Sequence, residues 1–449
     1  MKIGSIVLCA GASKRMKSDK SKMLQDLCGR PLSFFAVQNA LSLSDFSAVI
    51  VVGHQADLVK SSLDNLFSNL TFAYQKVQRG TADAVKIGLE SLHKDCDTVI
   101  VLYGDTPLLT KSSLNKLVEL HKNNQSKVTL LSAITDNPYG YGRIVRNEQG
   151  LITAIVEEKE ACITQKNITE INSGIYVFDV AFLRKQLADL SSNNGEYYLT
   201  DVAKKSFLNG HVVNSLLMPY EQMQGVNDFI QLSQARLAMR QRIINKHLDN
   251  GVDIIDPQNT YIDEAVQIGS NCVIYPAVHL YGNSQLHNGC IVKAGCIIKN
   301  SVIHENTHVA AYSVIEQSVI EEACTIGPFA RLRPQTHLAS NVKIGNFVEV
   351  KKSFIDQGTK ANHLAYIGDA YIGKNCNIAA GAITCNFDGL NKHKTNIKDN
   401  VFVGSNVTLI APITIEKNSY LAASSCITDD VKENSLSIAR AHQVNKIRK

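Results

Sequence analysis

The chain has 449 residues, 45% of them hydrophobic and 19% charged, with a formal net charge of +5 and no tryptophan. That length exceeds one core and predicts at least two domains, while the mild charge, without any lysine or arginine block, argues against a nucleic-acid surface. No apolar run reaches membrane-spanning length and a strand starts at Ile3, leaving no room for a signal peptide; the 11 cysteines, with no CxxC pair, read as reduced thiols of a cytoplasmic protein, not as a disulfide framework or zinc site.

Over residues 1–227 short apolar runs alternate with helical patterns. Strands are predicted at 5–10, 48–53, 71–75, 98–103 and 127–133, and helices at 31–43, 57–67, 81–92 and 111–122, with Pro31 suited to a helix start. This alternation predicts a mostly parallel, Rossmann-like α/β sheet with ligands at the carboxyl ends of its strands. Small residues in Leu8-Cys-Ala-Gly-Ala-Ser-Lys-Arg-Met let backbone N–H groups approach a phosphate, and Lys14, Arg15 and Lys22 add positive charge. The spacing is neither a Walker loop nor GxGxxG, so by itself it reads equally as a plain strand-to-helix turn. Asp105, where the run Leu102-Tyr-Gly-Asp ends, suits a hard cation such as Mg2+; alternatively it caps the helix after Pro107.

Residues 228–251 read as one linker helix. Phe229, Leu232, Met239 and Ile243 recur at three- and four-residue steps, Arg236, Arg240, Arg242 and Lys246 lie mostly on a solvated face, and Gly251 ends it. From 252 to 449 the period becomes six. Ile262, Ile268, Ile274, Leu280, Leu286, Val292 and Ile298 hold one register, Ile320 to Val350 a second and Ile397 to Ile427 a third. A strict six belongs to a triangular coil of short parallel strands whose aliphatic residues stack in a column, here a left-handed parallel β-helix of hexapeptide repeats; a sandwich has no such phase. The register slips between Ile298 and Val314 and after Val350, and is interrupted between Ile378 and Ile397, where the polar segment 384–394 is expected to loop out. His363, in a turn-rich stretch with Asn362, Tyr366 and Asp369, suits a base that takes an amine proton in acyl transfer, although a lone histidine in a coil also reads as structural.

Leu8-x-x-Gly-x-x-x-Arg15-Met with Lys22, Gln75, Gly80-Thr-Ala, Tyr103-Gly-Asp105, Gly140-Tyr-Gly-Arg, Glu157, Glu170-Ile-Asn172-Ser-Gly and Gly225-Val-Asn227 resemble the sugar-1-phosphate nucleotidylyltransferases. Arg331-Leu-Arg333-Pro, Asn346-Phe-Val-Glu-Val-Lys351, His363-Leu-x-Tyr366, Asn377-Ile-x-Ala-Gly and Asn386-Phe-Asp-Gly-x-Asn-Lys392 extend this. Over nearly its whole length the chain is similar to the bacterial bifunctional enzymes that make UDP-N-acetylglucosamine, a precursor of peptidoglycan and lipopolysaccharide. The resemblance implies that the coil acetylates glucosamine 1-phosphate with acetyl-CoA, and that the sheet domain transfers UMP from UTP to N-acetylglucosamine 1-phosphate.

By the same resemblance the backbone of Leu8, Cys9, Ala10 and Gly11, with Gln75, Gly80 and Thr81, holds the uracil nucleotide. Tyr103, Gly104, Gly140, Glu157 and Asn172 line the sugar side, Asp105 and Asn227 share Mg2+, and Arg15 and Lys22 face the triphosphate and its leaving group. In the coil it implies His363 as base, Arg333, Lys351 and Lys392 around the sugar phosphate, and Tyr366 and Asn377 on the sugar. Asn386 would position the thioester, with Phe387 beside it, and coenzyme A would lie along Ala380, Ser405, Ala423 and Arg440. It further implies a homotrimer with acetyl-transfer sites between neighbours. Ser13 stands where the family usually has glycine, and Phe387 where it commonly has tyrosine. Two other readings are a nucleotidylyltransferase for a different sugar 1-phosphate with a non-catalytic trimerising coil, and a metal-dependent hydrase. Against the latter, His304, His308, His337 and His363 show no ligand spacing.

Overall fold

The computed structural model describes residues 1–12, 14–189 and 196–448. Ser13 and the side chain of Lys14, both singled out above, lie outside the described residues, as does Lys449. The chain divides into two compact units, Met1–Met239 and Arg240–Lys449. Among the described residues no helix is long and apolar enough to cross a membrane, and every cysteine is free.

The first unit is built on β1 (Ile3–Cys9), the ribbon β2 (Asp26–Leu27) and β3 (Arg30–Pro31), β4 (Ala48–Val52), β5 (Leu70–Tyr74), β6 (Thr98–Tyr103), β7 (Val128–Ile134), β8 (Arg143–Arg146), β9 (Ile152–Val156), β10 (Glu170–Asp179) and β11 (Val213–Leu217). Its main sheet runs β11-β7-β10-β6-β1-β4-β5, with β8 and β9 branching from β10. Neighbours along that path are parallel except at β10, which is antiparallel to β6 and β7. β1 occupies the middle because its apolar run serves both faces. Ile6, Leu8 and Ala10 enter one core layer with Val49 and Val101, whereas Val7 and Cys9 enter the other with Ile50 and Ile100. Each fully buried aliphatic side chain there contributes roughly 1.5–3 kcal/mol.

Besides β8, β9 and β11, which the sequence reading did not give, three features differ from it. Pro31 pairs with Asp26 in the ribbon, and the helix starts only at Phe34; Ser33 just before it donates its hydroxyl to the Met23 carbonyl (2.9 Å) instead of capping the helix. β10 went unpredicted because its apolar run begins only after Gly174. There the register shifts between Asn172 and Tyr176, and Gly174, at φ +81°, accepts the Tyr103 ring against a backbone that has no room for a Cβ. The linker helix, Phe229–Asp249, buries Leu232, Ala235, Met239 and Ile243, but Phe229 is 50% exposed, so the buried stripe starts one turn later.

In the second unit, parallel sheets of 11, 10 and 9 strands form the three faces of a left-handed parallel β-helix. Ile262 pairs with Leu280 and Leu280 with Ile298, a turn of eighteen residues or three hexads. The register slips are turns shortened by one residue. Ile298 pairs with Ile315 and Val350 with Ile367, seventeen apart, so the interior column continues through the shortened turns that carry His304 and His308. The interruption is an insertion: Cys385 pairs with Ile410, twenty-five residues on, and the surplus leaves as a loop closed by a Phe387–Lys392 bridge. Asparagine recurs at one corner (Asn271, Asn306, Asn341, Asn375, Asn400, Asn418, Asn434), always with φ between 53° and 62°, because its short amide tolerates the left-handed region that the bend requires.

Candidate functional sites

At the carboxyl edge of the first sheet three loops meet, those after β1 and β6 and the segment 225–227. Lys22 opens a short 3-10 turn capped by Ser21, whose Oγ accepts from the Met23 N–H. The Lys22 side chain is only 10% exposed, and an ammonium so placed needs fixed acceptors. It finds the Asp105 carboxylate and the Asn227 amide oxygen, the latter at 3.0 Å. Arg15 donates to the same Asn227 oxygen at 2.8 Å, and the Val226 N–H donates to the Asp105 carbonyl at 2.8 Å. Arg15, Lys22, Asp105 and Asn227 are therefore one hydrogen-bonded cluster.

The cluster lines a cavity of about 520 Å³ together with Leu8, Ala10, Gly11, Gln75, Gly80, Thr81 and Tyr103. Gln75 is fixed by donating to Asp83 Oδ2 at 2.8 Å. Gly80, at φ +106°, packs on the Tyr197 backbone too closely for any Cβ. Gln78, Glu196 and Tyr198 also line the cavity and were not singled out from sequence. Gln78 donates to the Ala10 carbonyl at 2.6 Å, holding the loop after β1; a lone glutamine gave no signal for this. Cys9 turns its side chain into the core, where burial first, with Asp105 adding and Lys22 opposing, pushes the thiol up to about 12. Gly104 lies against the Cys9 sulfur, so neither residue offers a side chain to the cavity.

Gly140, Glu157 and Asn172 are not among the cavity-lining residues. Glu157 and Asn172 flank Gly142, and Glu157 accepts from Thr200 at 3.0 Å. Burial raises the Glu157 carboxyl above its ordinary range, partly offset by that hydrogen bond. Burial, then Glu157 and Asp105, also raise the Tyr103 phenol, with a hydrogen bond to Thr81 opposing them. Gly140, at φ +86°, donates its N–H to Glu158 at 3.2 Å.

On the coil, His363 is exposed and pairs in register with Asn346, one residue before the corner at Leu364 (φ +33°). Asp369 does not orient it; buried, it accepts from the Asn386 amide and pairs with Lys352 at 3.7 Å. Arg333 and Lys351 follow the paired residues Leu332 and Val350, so they occupy equivalent stations on successive turns, and Arg333 bonds Glu349 at 2.8 Å. Tyr366 pairs with Glu349, while Asn377 lies on the neighbouring face, paired with Lys360. The Lys392 ammonium stands 4.4 Å from the Phe387 ring centroid, so the aromatic ring supports a cation without needing a hydroxyl. Ala380, Ser405 and Ala423 follow one corner: the Asn406 N–H donates to Ala380, the Ser424 N–H to Ser405 (both 2.8 Å), and Arg440 to the Ala423 carbonyl at 2.5 Å. Further up, this corner carries Tyr312, Phe329, Phe347 and Leu364, 58, 47, 59 and 61% exposed, the three rings stacked 5.3 and 5.6 Å apart.

Residues 5–221 match the nucleotidyl transferase family and residues 257–355 the GMPPB C-terminal domain. The chain is 44% identical to the bifunctional protein GlmU of Geobacillus sp. (strain WCH70), with 98% of this chain and 96% of that protein covered. It is 46% identical to the protein of that name from Caldanaerobacter subterraneus (98% and 96%) and 43% identical to that from Clostridioides difficile (99% and 97%). The chain belongs to the bifunctional GlmU family. As a GlmU-type protein it is a two-activity transferase of UDP-N-acetylglucosamine synthesis, with uridylyltransferase and acetyltransferase functions; a non-catalytic coil is thereby set aside. Among the described residues one further cluster holds metal-ligating side chains. His287, His304 and Glu305 bring a ligand atom each within 4.8 Å of one another. Ligand spacings along the sequence miss it, because residues that touch in a coil are a whole turn apart.

Proposed function

We propose that UMP is transferred in the sheet cleft and the acetyl group at the corner beside His363. The observation that carries the first assignment is the Lys22 ammonium held between Asp105 and Asn227 with Arg15 on the same oxygen. The sugar phosphate oxygen attacks the α-phosphorus of UTP and the bond to pyrophosphate breaks, so alignment and opposed charge are what the protein must supply. Arg15 and Lys22 face the leaving pyrophosphate, Gln75, Gly80, Thr81 and the Leu8 to Gly11 backbone hold the nucleotide, and Tyr103, Gly140, Glu157 and Asn172 hold the sugar. Asp105 and Asn227 fit Mg2+, since two hard oxygens already converge on one cationic group; the ion supplies Lewis-acid charge at the phosphates.

In the coil, His363 takes the amine proton of glucosamine 1-phosphate as its nitrogen attacks the acetyl-CoA carbonyl and the thiolate leaves. Arg333, Lys351 and Lys392 oppose the sugar phosphate, Tyr366 and Asn377 hold the sugar, and Asn386, anchored by Asp369, positions the thioester. Coenzyme A follows Ala380, Ser405, Ala423 and Arg440. The exposed ridge that ends at Leu364, next to His363, supports a homotrimer in which a neighbour covers this corner. Free thiols and the lack of a membrane-spanning helix among the described residues support a cytoplasmic place. The test is incubation with glucosamine 1-phosphate, acetyl-CoA, UTP and Mg2+, with products weighed by mass spectrometry as each component is omitted. UDP-N-acetylglucosamine should require all four. UTP turnover with glucosamine 1-phosphate but no release of coenzyme A thiol would overturn the coil assignment.

A further inference from the structure

We infer that His287, His304 and Glu305 form a binding site for a divalent transition ion of the Zn2+ type, on the outer surface of the coil and separate from both transfer sites. The coil builds it. Leu286 pairs with Ile303 on adjacent strands, and the His287 N–H donates to the Ile303 carbonyl at 2.8 Å, so the residues that follow, His287 and His304, stand one above the other a seventeen-residue turn apart. Adjacent strands lie about 4.8 Å apart, and the two ring centroids are 4.5 Å apart. Glu305, at the start of the corner, reaches back between them: its carboxylate lies 3.0 Å from His287 Nδ1 and 3.9 Å from His304 Nδ1.

Two imidazoles and one carboxylate select a borderline ion. Mg2+ and Ca2+ prefer all-oxygen sets, whereas Zn2+ and Co2+ take histidine nitrogen and carboxylate oxygen together, at about 2.0–2.2 Å in tetrahedral sites. Ligands at those bond lengths sit about 3.3 Å from one another, so the three groups need only small side-chain rotations to close on an ion. Their side chains are 34 to 44% exposed, which keeps the site open to solution and leaves a vertex for water. The next residue down the same station, Glu321, is occupied instead by His337 and Ser340. An ion here adds a metal-bridged link between two successive turns of the coil, beside the His287–Glu305 contact and the Cys290 Sγ bond to the His304 carbonyl that already join them.

The test uses the full chain in metal-free buffer. Co2+ is titrated first, because its visible bands separate histidine and carboxylate ligation from the near-ultraviolet thiolate bands that exposed Cys162 and Cys426 would give; Zn2+ is then titrated calorimetrically. The wild type should bind one equivalent per chain at micromolar concentration with no thiolate band, beyond any uptake that Asp105→Ala removes, and Zn2+ should raise the melting temperature of the coil. His287→Ala and His304→Ala should each weaken binding at least tenfold and abolish the melting shift. Glu305→Gln, which keeps the shape and removes the charge, should weaken it about tenfold. His337→Ala, off the site, should leave it unchanged. Unchanged acetyl transfer in all four variants shows that the coil is folded. Wild-type affinity in the His287 and His304 variants, or no uptake at 100 µM ion, overturns the inference.

Discussion

Lys22 and Lys351 are both placed where a phosphate is expected, in opposite settings. Lys22 is 10% exposed and tied to two acceptors from separate loops, whereas Lys351 stands half-buried on an open face, its direction set by strand register alone. The cleft organises its charges before any ligand arrives, at the cost of desolvating them. The coil leaves its charges hydrated and relies on repeated strand spacing to align Arg333 with Lys351. A site of the first kind should fail sharply when one member is removed; a site of the second kind should lose binding in smaller steps.

Four experiments break or sharpen that contrast. Asp105→Ala removes the carboxylate that faces the buried Lys22 ammonium; uridylyl transfer should fall at least about 1,000-fold and the first unit should lose about 3 kcal/mol, with acetyl transfer within twofold, as read by paired assays and urea unfolding. A parallel loss of acetyl transfer would show that the two sites are not independent. His363→Ala should reverse the pattern: coenzyme A thiol release should drop about 100-fold or more, while uridylyl transfer from pre-acetylated sugar phosphate stays intact. Arg15→Ala removes an exposed cation that shares its acceptor with Lys22, so kcat should fall about tenfold with the KM for sugar phosphate within twofold; a pure rise in KM would remove Arg15 from the leaving-group role.

The last prediction concerns stability against pH and touches both units. Burial pushes the imidazoles of His121 and His247 from 6.5 down to about 4. Folded, they stay neutral while the unfolded chain takes up protons, so stability is full above pH 6.5 and falls as pH drops toward 4, by up to about 3 kcal/mol for each. Urea midpoints at pH 7.5, 6 and 5 should decline in that order, and His121→Gln should flatten the decline of the first unit.

Much of the fold was legible because its signals are periodic. The six-residue recurrence located the coil, and even its irregular turns, since a missing residue displaces every aliphatic position that follows. β10 was hidden by the opposite circumstance: Asn172, Ser173 and Gly174 interrupt its apolar pattern because the bulge there serves Tyr103 instead of the core. Pro31 misled because its fixed φ suits a ribbon as well as a helix start. For the cleft, the residues that carry charge were visible at strand ends, but those that hold them in place were not. Gln78 and the 196–198 segment act through backbone contacts brought together by folding, and the pairing of His287 with His304 exists only once the turns are stacked.

The last pairing of the coil joins its two final described strands on one face. Tyr420 and Leu421 pair with Leu436 and Ser437, and among the described residues no strand follows. In a linear stack each rung is steadied by its two neighbours, so the final one has half that support and frays first. Arg440 follows that last strand and Ala423 lies one turn before it, while His363 lies several rungs inside. On gentle warming the bed proposed for coenzyme A should therefore loosen while the proton acceptor is still in place, and acetylation would then dwindle through a rising demand for its acyl donor before its chemistry is touched.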